Sequence, residues 1–447
     1  MSGIQTLRIA LFGKIPPIQG GVSTAAWEFC EAATDAGHTV CVITNATEAE
    51  PGIKCALSST DQMRLKKANP GLQIISTTPI TKGDFVPYSN PYLSKLMGAG
   101  CNAFEKNKFD LVVGWYLEPY CVAASALAEL YGLPLYIRTA GSDLGRLAQH
   151  PDLHGLYRAV LRRAHVIFSG PPGSGTHRKL IDLGVESGRI INLRENGLPT
   201  VYSRKCRPLS LDWKEIIELE KNSGSDDNAD VWQDYLDLND FDCYDNRLPT
   251  IGIFGKVGRS KGTSNLLRAL DELCFAGTFN GNVLCVPCGK REDLAVFFES
   301  ARHYRSRNKN LLVVPPLAPW RIPEFLARCD IACVLEDGFP VETHSPRLPR
   351  EILAAGVCLL MSREVARKQR FSTNLIQFKN CALVENPNDT RELCDVLRTL
   401  LIDLVATKDI AQHGRFLSRC IERFLEPGNS MINALVDLES ERVLEKV

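Results

Sequence analysis

The sequence predicts an α/β protein of two domains, each a parallel sheet with helices on both faces. In both halves of the chain, short apolar runs alternate with stretches of helical periodicity, as in sheets whose parallel strands are joined by helices. The halves also begin alike, with IALFGKI at Ile9–Ile15 and IGIFGKV at Ile251–Val257. Each is an apolar strand that ends in Phe-Gly-Lys before a glycine-containing loop. We therefore predict two Rossmann-like domains.

The first domain is predicted for residues 1–203. LRIALFG predicts its first strand, and the next stretch predicts an amphipathic helix opened by Ser23 or Thr24 and closed by Gly37. Further strands are predicted from HTVCVITN, FDLVVGWY, LPLYIRTAG and HVIFSG.

The second domain is predicted for residues 250–425, with strands from TIGIFGKV, NVLCVPCG, NLLVVPP, DIACVLED and VCLLMS. Residues 426–447 predict a final helix that packs back toward the first domain. The segment between the domains, 204–249, is acidic, poor in strand signals and too long for a plain connection. We predict a linker with an acidic insertion and one helix, WKEIIELEK.

Composition argues against several classes of protein. The 447 residues include 52 Lys+Arg and 52 Asp+Glu, and this zero net charge argues against broad nucleic-acid binding. The first residues lack the pattern of a signal peptide, and no apolar run is long enough to span a bilayer. Most of the 16 cysteines are placed like small core residues, as Cys41, Cys333 and Cys358 are in strand-like runs, and the pair Cys285/Cys288 lacks the further ligands of a zinc site. We expect reduced, buried thiols and a cytoplasmic location.

The stretch GPPGSGTHRK, from Gly170 to Lys179, imitates a nucleotide-binding P-loop. A P-loop needs Lys and then Ser or Thr directly after its last glycine. Thr176 and His177 occupy these places. We therefore predict an ordinary glycine-rich turn between a strand and a helix.

Two other loops could bind phosphates, because ligands of parallel α/β sheets bind beyond the carboxyl ends of the strands. Gly20 and Gly21 directly precede a predicted helix, whose N-terminus favours anions. The equivalent loop of the second domain, GKVGRSKGTS, carries Lys256, Arg259 and Lys261 among three glycines. These cations suit a diphosphate bound without metal, although solvated lysines beside loop glycines are also common.

Several stretches, taken in order, carry a resemblance to one family. They are PPIQGGVSTAAWEFCEAATDAGHTVCVIT, FDLVVGWYLEPYCVAASALAELYGLPLYIRTAGSDL, RIINLRENGLP, FGKVGRSKGTSNLLRAL and PEFLARCDIACVLEDGFPVETHSPRLPREILAAGVCLLMS. Together they resemble the retaining glycosyltransferases of family 4 (glycosyl transferases group 1), which have the two-domain GT-B fold. Lys256 stands in the family's arginine place and Lys261 in its lysine place.

The resemblance implies a GT-B fold with a central cleft and a hexosyltransferase-type activity. The donor would be a nucleotide sugar, with a UDP-sugar expected, and transfer would retain the anomeric configuration without metal or other cofactor. The acceptor is left open among saccharides, lipid-linked acceptors and small molecules. The implied catalytic residues are Lys256, Lys261 and Glu342. The implied donor-binding residues are Gly20, Gly21, Arg259, His344, Ser345, Arg347 and Glu351, and the acceptor-side residues are Lys14, Arg138, Ser142 and Asp143.

Three features depart from the family pattern. The family has two glutamates separated by seven residues, and counting back from Glu351 places the first at Thr343, beside Glu342. Ala140 stands where the family often has histidine, and the insertion at 204–249 is unusual. A nucleotide-sugar epimerase of the same fold and a non-catalytic binding protein therefore stay open as alternatives.

Two further patterns have ordinary explanations. Asp240 and Asp242 imitate a metal-binding D-x-D motif but lie in the acidic insertion, where a solvated charge cluster is the better interpretation. Three arginines on one predicted helix could contact anionic lipid peripherally, although a solvated basic face is the better interpretation. They are Arg158, Arg162 and Arg163.

Overall fold

A computed structural model describes residues 6–67, 70–79, 92–223, 229–340, 345–425 and 429–444. The chain forms two compact units. Unit 1 consists of Met1–Ala49, Ser59–Gly197 and Leu425–Val447, and unit 2 of Glu50–Ser58 and Leu198–Phe424.

Unit 1 is built on a parallel sheet that has seven strands among the described residues, in the order β3-β2-β1-β4-β5-β6-β7. Ile9 of the central strand pairs with Val40 on one side and Leu111 on the other. The strands are β1 (Arg8–Phe12), β2 (Thr39–Thr44), β3 (Leu72–Ser76), β4 (Leu111–Trp115), β5 (Leu135–Arg138), β6 (Val166–Ser169) and β7 (Ile190–Asn192).

Helices cover both faces of this sheet, because successive strand residues point to opposite sides. Ile9 and Leu11 pack in one apolar cluster, and Ala10 and Phe12 in another. The helices are α1 (Gly21–Asp35), α2 (Ser59–Lys67), α3 (Tyr92–Lys106), α4 (Val122–Leu130), α5 (Gly141–Gly145), α6 (Pro151–Arg163), α7 (Gly175–Asp182) and, at the end of the chain, α17 (Ser430–Leu444).

The last helix, α17, is part of unit 1. Met431 and Leu435 are buried in the same cluster as Ile9. The Tyr136 hydroxyl, at the middle of β5, donates a hydrogen bond of 2.5 Å to Glu439. Apolar packing and one buried polar contact thus hold the chain terminus on the first sheet.

Unit 2 has a parallel sheet of six strands within its described residues, in the order β10-β9-β8-β11-β12-β13. Its strands are β8 (Thr250–Lys256), β9 (Asn282–Cys288), β10 (Leu311–Val313), β11 (Ile331–Val334), β12 (Cys358–Ser362) and β13 (Ala382–Val384). Its helices are α8 (Lys214–Ser223), α9 (Ala229–Leu238), α10 (Thr263–Phe275), α11 (Arg291–Arg307), α12 (Ile322–Leu326), α13 (Leu348–Ala355), α14 (Arg363–Arg367), α15 (Thr390–Ile402) and α16 (Leu404–Glu422). The predicted class, two parallel-sheet domains, is confirmed.

The segment predicted as a linker with an insertion is instead part of the core of unit 2. It carries two helices, α8 and α9, where the sequence predicted one. Trp213, Trp232 and Tyr235 are buried in the main apolar cluster of the unit. The Tyr235 hydroxyl donates a hydrogen bond of 2.7 Å to the Pro287 carbonyl at the end of β9.

The cysteines are free thiols, and many lie in the strands. Cys285 and Cys288 are fully buried in β9, and burial raises the pKa of both thiols to about 12. No helix among the described residues is both long enough and apolar enough to cross a bilayer.

Candidate functional site

The best-defined cluster of functional side chains in unit 2 lies at the carboxyl ends of β8 and β11. β8 ends at Lys256, and a short 3₁₀ turn, Arg259–Lys261, leads into α10. Gly262 joins the turn to the helix with φ of 70°. A Cβ at this position would lie 2.5 Å from the Leu335 carbonyl oxygen. Only glycine therefore lets this loop pack so closely on the segment after β11.

This close packing brings Lys261 against Glu336, which the sequence analysis did not select. The two side chains form an ion pair with exposures of only 12% and 7%. The Lys261 ammonium also lies 3.9 Å from the centre of the Phe339 ring, within the range of a cation–π contact.

Burial and neighbouring charges have opposing effects on the pKa of Lys261. Burial lowers the pKa of this ammonium below its ordinary value, and the carboxylate of Glu336 opposes that shift. The positive charges of Lys256 and Lys368 lower the pKa further. The ammonium of Lys261 thus lies within reach of the positive charges of two further lysines, of which Lys368 also pairs with Glu364 at 2.5 Å. A cluster of cations of this kind suits a highly charged anion.

The loop that carries Glu336 is held by hydrogen bonds on each side. The Ser362 hydroxyl donates to the Glu336 carbonyl, and the Asp337 amide donates to the Ser260 carbonyl at 3.0 Å. The Gly338 amide donates to the Glu364 carboxylate at 2.6 Å. These hydrogen bonds fix the backbone of the loop, and the ion pair with Lys261 holds the carboxylate of Glu336.

A cavity of about 40 Å³ lies beside this pair, large enough for a few ordered waters. Lys256, Lys261 and Glu336 line its polar side, and Pro287 and Leu348 line its apolar side. Leu348 is the first residue of α13. The structure thus brings the start of α13 to the same edge of the sheet as the lysine loop.

Glu351 lies in the first turn of α13 and is 5% exposed. Its carboxylate forms an ion pair of 2.9 Å with Arg347, one turn earlier. The Ser345 hydroxyl donates a hydrogen bond of 3.0 Å to the Lys368 carbonyl. The other residues predicted in this loop, Glu342 and His344, lie outside the described residues.

In unit 1 the predicted acceptor-side residues surround Tyr116, which follows β4. The Lys14 ammonium lies 4.0 Å from the centre of the Tyr116 ring, and the Tyr116 and Ser142 hydroxyls are 3.2 Å apart. Tyr116 has φ of 83°, a conformation that is rare for a bulky residue and is often found at functional sites.

Asp143, a predicted acceptor-side residue, has a carboxylate that is enclosed by backbone amides. It is 0% exposed and accepts hydrogen bonds from the amides of Leu117, Ala140 and Leu144 at 2.7–3.2 Å. Burial raises its pKa to about 6, although these amides oppose the shift. Asp143 therefore ties together the loops that follow β4 and β5.

Arg138 ends β5 and is partly buried. Burial lowers the pKa of its guanidinium to about 10, and the carboxylate of Asp143 opposes this shift. The backbone of Arg138 is fixed by strand pairing with Trp115. The structure thus holds a cation at the carboxyl edge of the first sheet.

The two predicted glycine loops of unit 1 differ in geometry. Gly20 has φ of 132° and directly precedes α1, which begins at Gly21. In the P-loop-like stretch, Ser174 caps α7 by accepting a hydrogen bond of 3.2 Å from the His177 amide. The Ser174 and Thr176 hydroxyls are 3.1 Å apart. These local contacts are those of an ordinary capped helix.

No family model and no curated protein matches the sequence. Solved structures do match over nearly the whole chain. Sucrose-phosphate synthase from Thermosynechococcus elongatus is 14% identical, with a TM-score of 0.62 over 99% of this chain and 100% of that one. The chain has the GT-B fold. WaaG, a glycosyltransferase of lipopolysaccharide biosynthesis, is 14% identical, with a TM-score of 0.59 over 96% and 99%. Anabaena HepE in complex with UDP-glucose is 13% identical, with a TM-score of 0.58 over 99% and 100%.

Proposed function

We propose that the protein is a glycosyltransferase that moves a sugar from a nucleotide-sugar donor to an acceptor hydroxyl. The observation that carries this proposal is the lysine cluster around Lys261 at the carboxyl edge of the second sheet. The expected donor is a UDP-sugar, and the UDP-glucose held by HepE, which has the same fold, supports that choice. The proposal includes retention of the anomeric configuration, independence from metal and a hexosyltransferase-type reaction.

The lysine cluster suits the chemistry of the leaving group. During transfer the bond between the anomeric carbon and the diphosphate oxygen breaks, and negative charge develops on that oxygen. A new bond forms to the acceptor oxygen, whose proton passes to the departing phosphate. Lys256 and Lys261, with Arg259 in support, would stabilise this developing charge, because fixed cations lower the barrier most where charge grows.

The start of α13 would bind the remainder of the donor. Ribose hydroxyls would donate hydrogen bonds to Glu351, whose position Arg347 helps to fix at 2.9 Å. Ser345 lies just before this helix, and Glu342 and His344 are proposed to contact the sugar or phosphates. The acceptor would bind at the carboxyl edge of the first sheet, near Lys14 and Ser142.

Two measurements test this proposal with the full chain. UDP should raise the melting temperature of a protein that binds it, and UDP-glucose should be consumed when a panel of acceptors is added. Lys261→Ala should lower turnover about a hundredfold, the scale seen when one preorganised stabilising group is lost. Lys408→Ala, on the exposed face of α16, is the control and should keep full activity.

The same measurements separate the alternatives. An epimerase would change the sugar of UDP-glucose without any acceptor. A non-catalytic binding protein would leave UDP-glucose intact in every mixture. If UDP causes no thermal shift in the wild-type protein, the assignment of the nucleotide site to the lysine loop is wrong.

A further inference from the structure

The guanidinium of Arg138 makes no hydrogen bond or ion pair within the described part of the chain. Two other arginines that are not exposed do have partners: Arg350 pairs with Glu422 at 2.8 Å, and Arg328 donates to the Leu209 carbonyl at 2.9 Å. Arg138 is only partly buried, so its N–H groups stay accessible to solvent and are available to a ligand.

The nearest compensation for Arg138 is the carboxylate of Asp143, which acts only through its charge. Hydrogen bonds from the Leu117, Ala140 and Leu144 amides already occupy that carboxylate. Asp143 thus helps to keep Arg138 charged without occupying its donors. The five N–H donors of a guanidinium suit phosphate or carboxylate oxygens, which accept two parallel hydrogen bonds.

The surroundings of Arg138 add donors and further positive charge. The Tyr116 amide donates a hydrogen bond of 3.1 Å to the Arg138 carbonyl, which ties the two residues together. The Tyr116 ring carries Lys14 at 4.0 Å, and its hydroxyl meets that of Ser142 at 3.2 Å. The charge of Arg146 also reaches Tyr116 and lowers the pKa of its hydroxyl, whereas burial raises it more.

One further carboxylate faces this cluster. Glu118 accepts a hydrogen bond of 3.1 Å from the Tyr157 hydroxyl of α6, and burial raises the pKa of Glu118. Lys14, Arg138 and Arg146 are thus the cations described around Tyr116, and Glu118 and Asp143 are the carboxylates. Because three amides surround the Asp143 carboxylate, the guanidinium of Arg138 and the hydroxyls of Tyr116 and Ser142 are the donors that remain here for an anion.

We propose that Arg138, with Lys14, Tyr116 and Ser142, binds an anionic group of the acceptor, so that the acceptor is a sugar phosphate or sugar carboxylate and not a neutral sugar. The identification of the ligand as the acceptor rests on the proposed function, whereas the anion site itself rests only on the contacts around Arg138. Arg138 is the ligand-contacting residue, and Asp143 is a positioning residue that acts through it.

The test is a calorimetric titration of the full chain with inorganic phosphate, glucose 6-phosphate, glucuronate and glucose, each with and without UDP. Phosphate and at least one of the two anionic sugars should bind, and glucose should bind at least tenfold more weakly. The comparison of glucose 6-phosphate with glucuronate tells a phosphate site from a carboxylate site. Equal affinity for glucose and for both anionic sugars would overturn the proposal.

Variants connect the binding to the residue. Arg138→Gln should weaken binding of inorganic phosphate at least tenfold, and Arg138→Lys, which keeps the charge but not the fork of donors, should have a smaller effect. Arg158→Gln, on the exposed face of α6, is the matched control and should bind phosphate normally. Circular dichroism shows whether each variant is folded. If Arg138→Gln is unfolded, the phosphate affinity of Arg138→Lys tests the site instead. Unchanged phosphate affinity in the folded variants would refute the site.

Failure of this inference can be told from failure of the proposed function. Titration with UDP alone reports on the lysine loop of unit 2, and Arg138→Gln should leave UDP affinity unchanged. UDP binding without Arg138-dependent phosphate binding would overturn the inference and leave the donor site intact. Arg138-dependent phosphate binding without UDP binding would overturn the proposed function and leave the anion site intact.

Discussion

Replacing Glu336 by glutamine should make the enzymatic activity fall at a lower pH than in the wild type, because Lys261 would then lose its proton at a lower pH. Glu336 opposes the burial that lowers the pKa of Lys261, and the substitution removes that opposition. A lysine that is less basic in the free enzyme loses its proton as the pH rises through its new pKa. Activity carried by the ammonium is therefore full below that pKa and lost above it.

The size of the shift follows from the burial of the pair, whose side chains are 12% and 7% exposed. Two unit charges about 4 Å apart interact by about 4 kcal/mol at an effective dielectric constant of about 20, so the loss of the Glu336 charge should lower the pKa of Lys261. Glutamine keeps a hydrogen-bond acceptor, and water entry weakens the field, so we expect a downward shift of about 1–2 pH units.

The assay is kcat/KM for transfer from UDP-glucose between pH 6 and 10, which reports ionisations of the free enzyme. Glu336→Gln should move the alkaline limb downward, and the added change Lys261→Arg should move it back, because a guanidinium stays protonated. Asp395→Asn, which breaks an exposed ion pair on α15, is the control. An alkaline limb that stays in place in Glu336→Gln would refute the assignment of the limb to Lys261.

Three further predictions address the rest of the site. Glu351→Gln should weaken UDP binding by about 1.5–3 kcal/mol, the value of a charged hydrogen bond, and should affect turnover less. Calorimetry measures the UDP affinity and steady-state kinetics measures the turnover. A loss of turnover with unchanged UDP affinity would contradict a contact between Glu351 and the ribose. The double change Thr176→Ala and His177→Ala should leave UDP affinity intact, and a large loss would restore the P-loop interpretation. Transfer should survive EDTA, and loss with rescue by manganese would direct attention to Asp240, which pairs with Arg305 at 2.8 Å.

The alternation of strands and helices was enough to predict the fold, because the inner strands of these parallel sheets are apolar runs that are buried on both faces. The placement of Lys256 and Lys261 at the carboxyl edge also follows from strand order. The packing of residues 204–249 could not be predicted in this way. Their acidic composition suggests a solvated segment. Yet apolar residues about one helical turn apart, such as Trp232 and Tyr235, are buried on one face of α9. Composition averages over the two faces of a helix and so conceals this.

Long-range contacts set a second limit on prediction. Residues 50–58 follow β2 of unit 1 in sequence but pack in unit 2, where the Cys55 thiol donates to the Leu317 carbonyl at 3.2 Å. The Ala56 amide donates to the Pro316 carbonyl at 2.9 Å. No local pattern specifies such partners, because they depend on where a segment more than 250 positions away is placed.

In the candidate site, the partners of single carboxylates likewise could not be predicted from the sequence. The family resemblance predicted Asp143 as an acceptor-side residue, but it could not predict that three amides converge on this carboxylate and bury it. Glu336 was not among the predicted residues, because the count of positions back from Glu351 leads to Thr343, beside Glu342. Its signal was local: a glutamate directly after an apolar strand lies at the edge where ligands of parallel sheets bind.

Gly262 explains why Lys261 could be predicted while its partner could not. Glycines in a loop before a helix can give a bound phosphate room to approach the backbone. In the structure Gly262 gives that room to the protein itself, since a Cβ would lie 2.5 Å from the carbonyl oxygen and 2.6 Å from the Cβ of Leu335. This approach sets Lys261 against Glu336, the next residue after Leu335. The cation that is proposed to stabilise the leaving group is therefore positioned by backbone packing between two loops 75 residues apart, and its charge depends on the carboxylate that the same packing supplies.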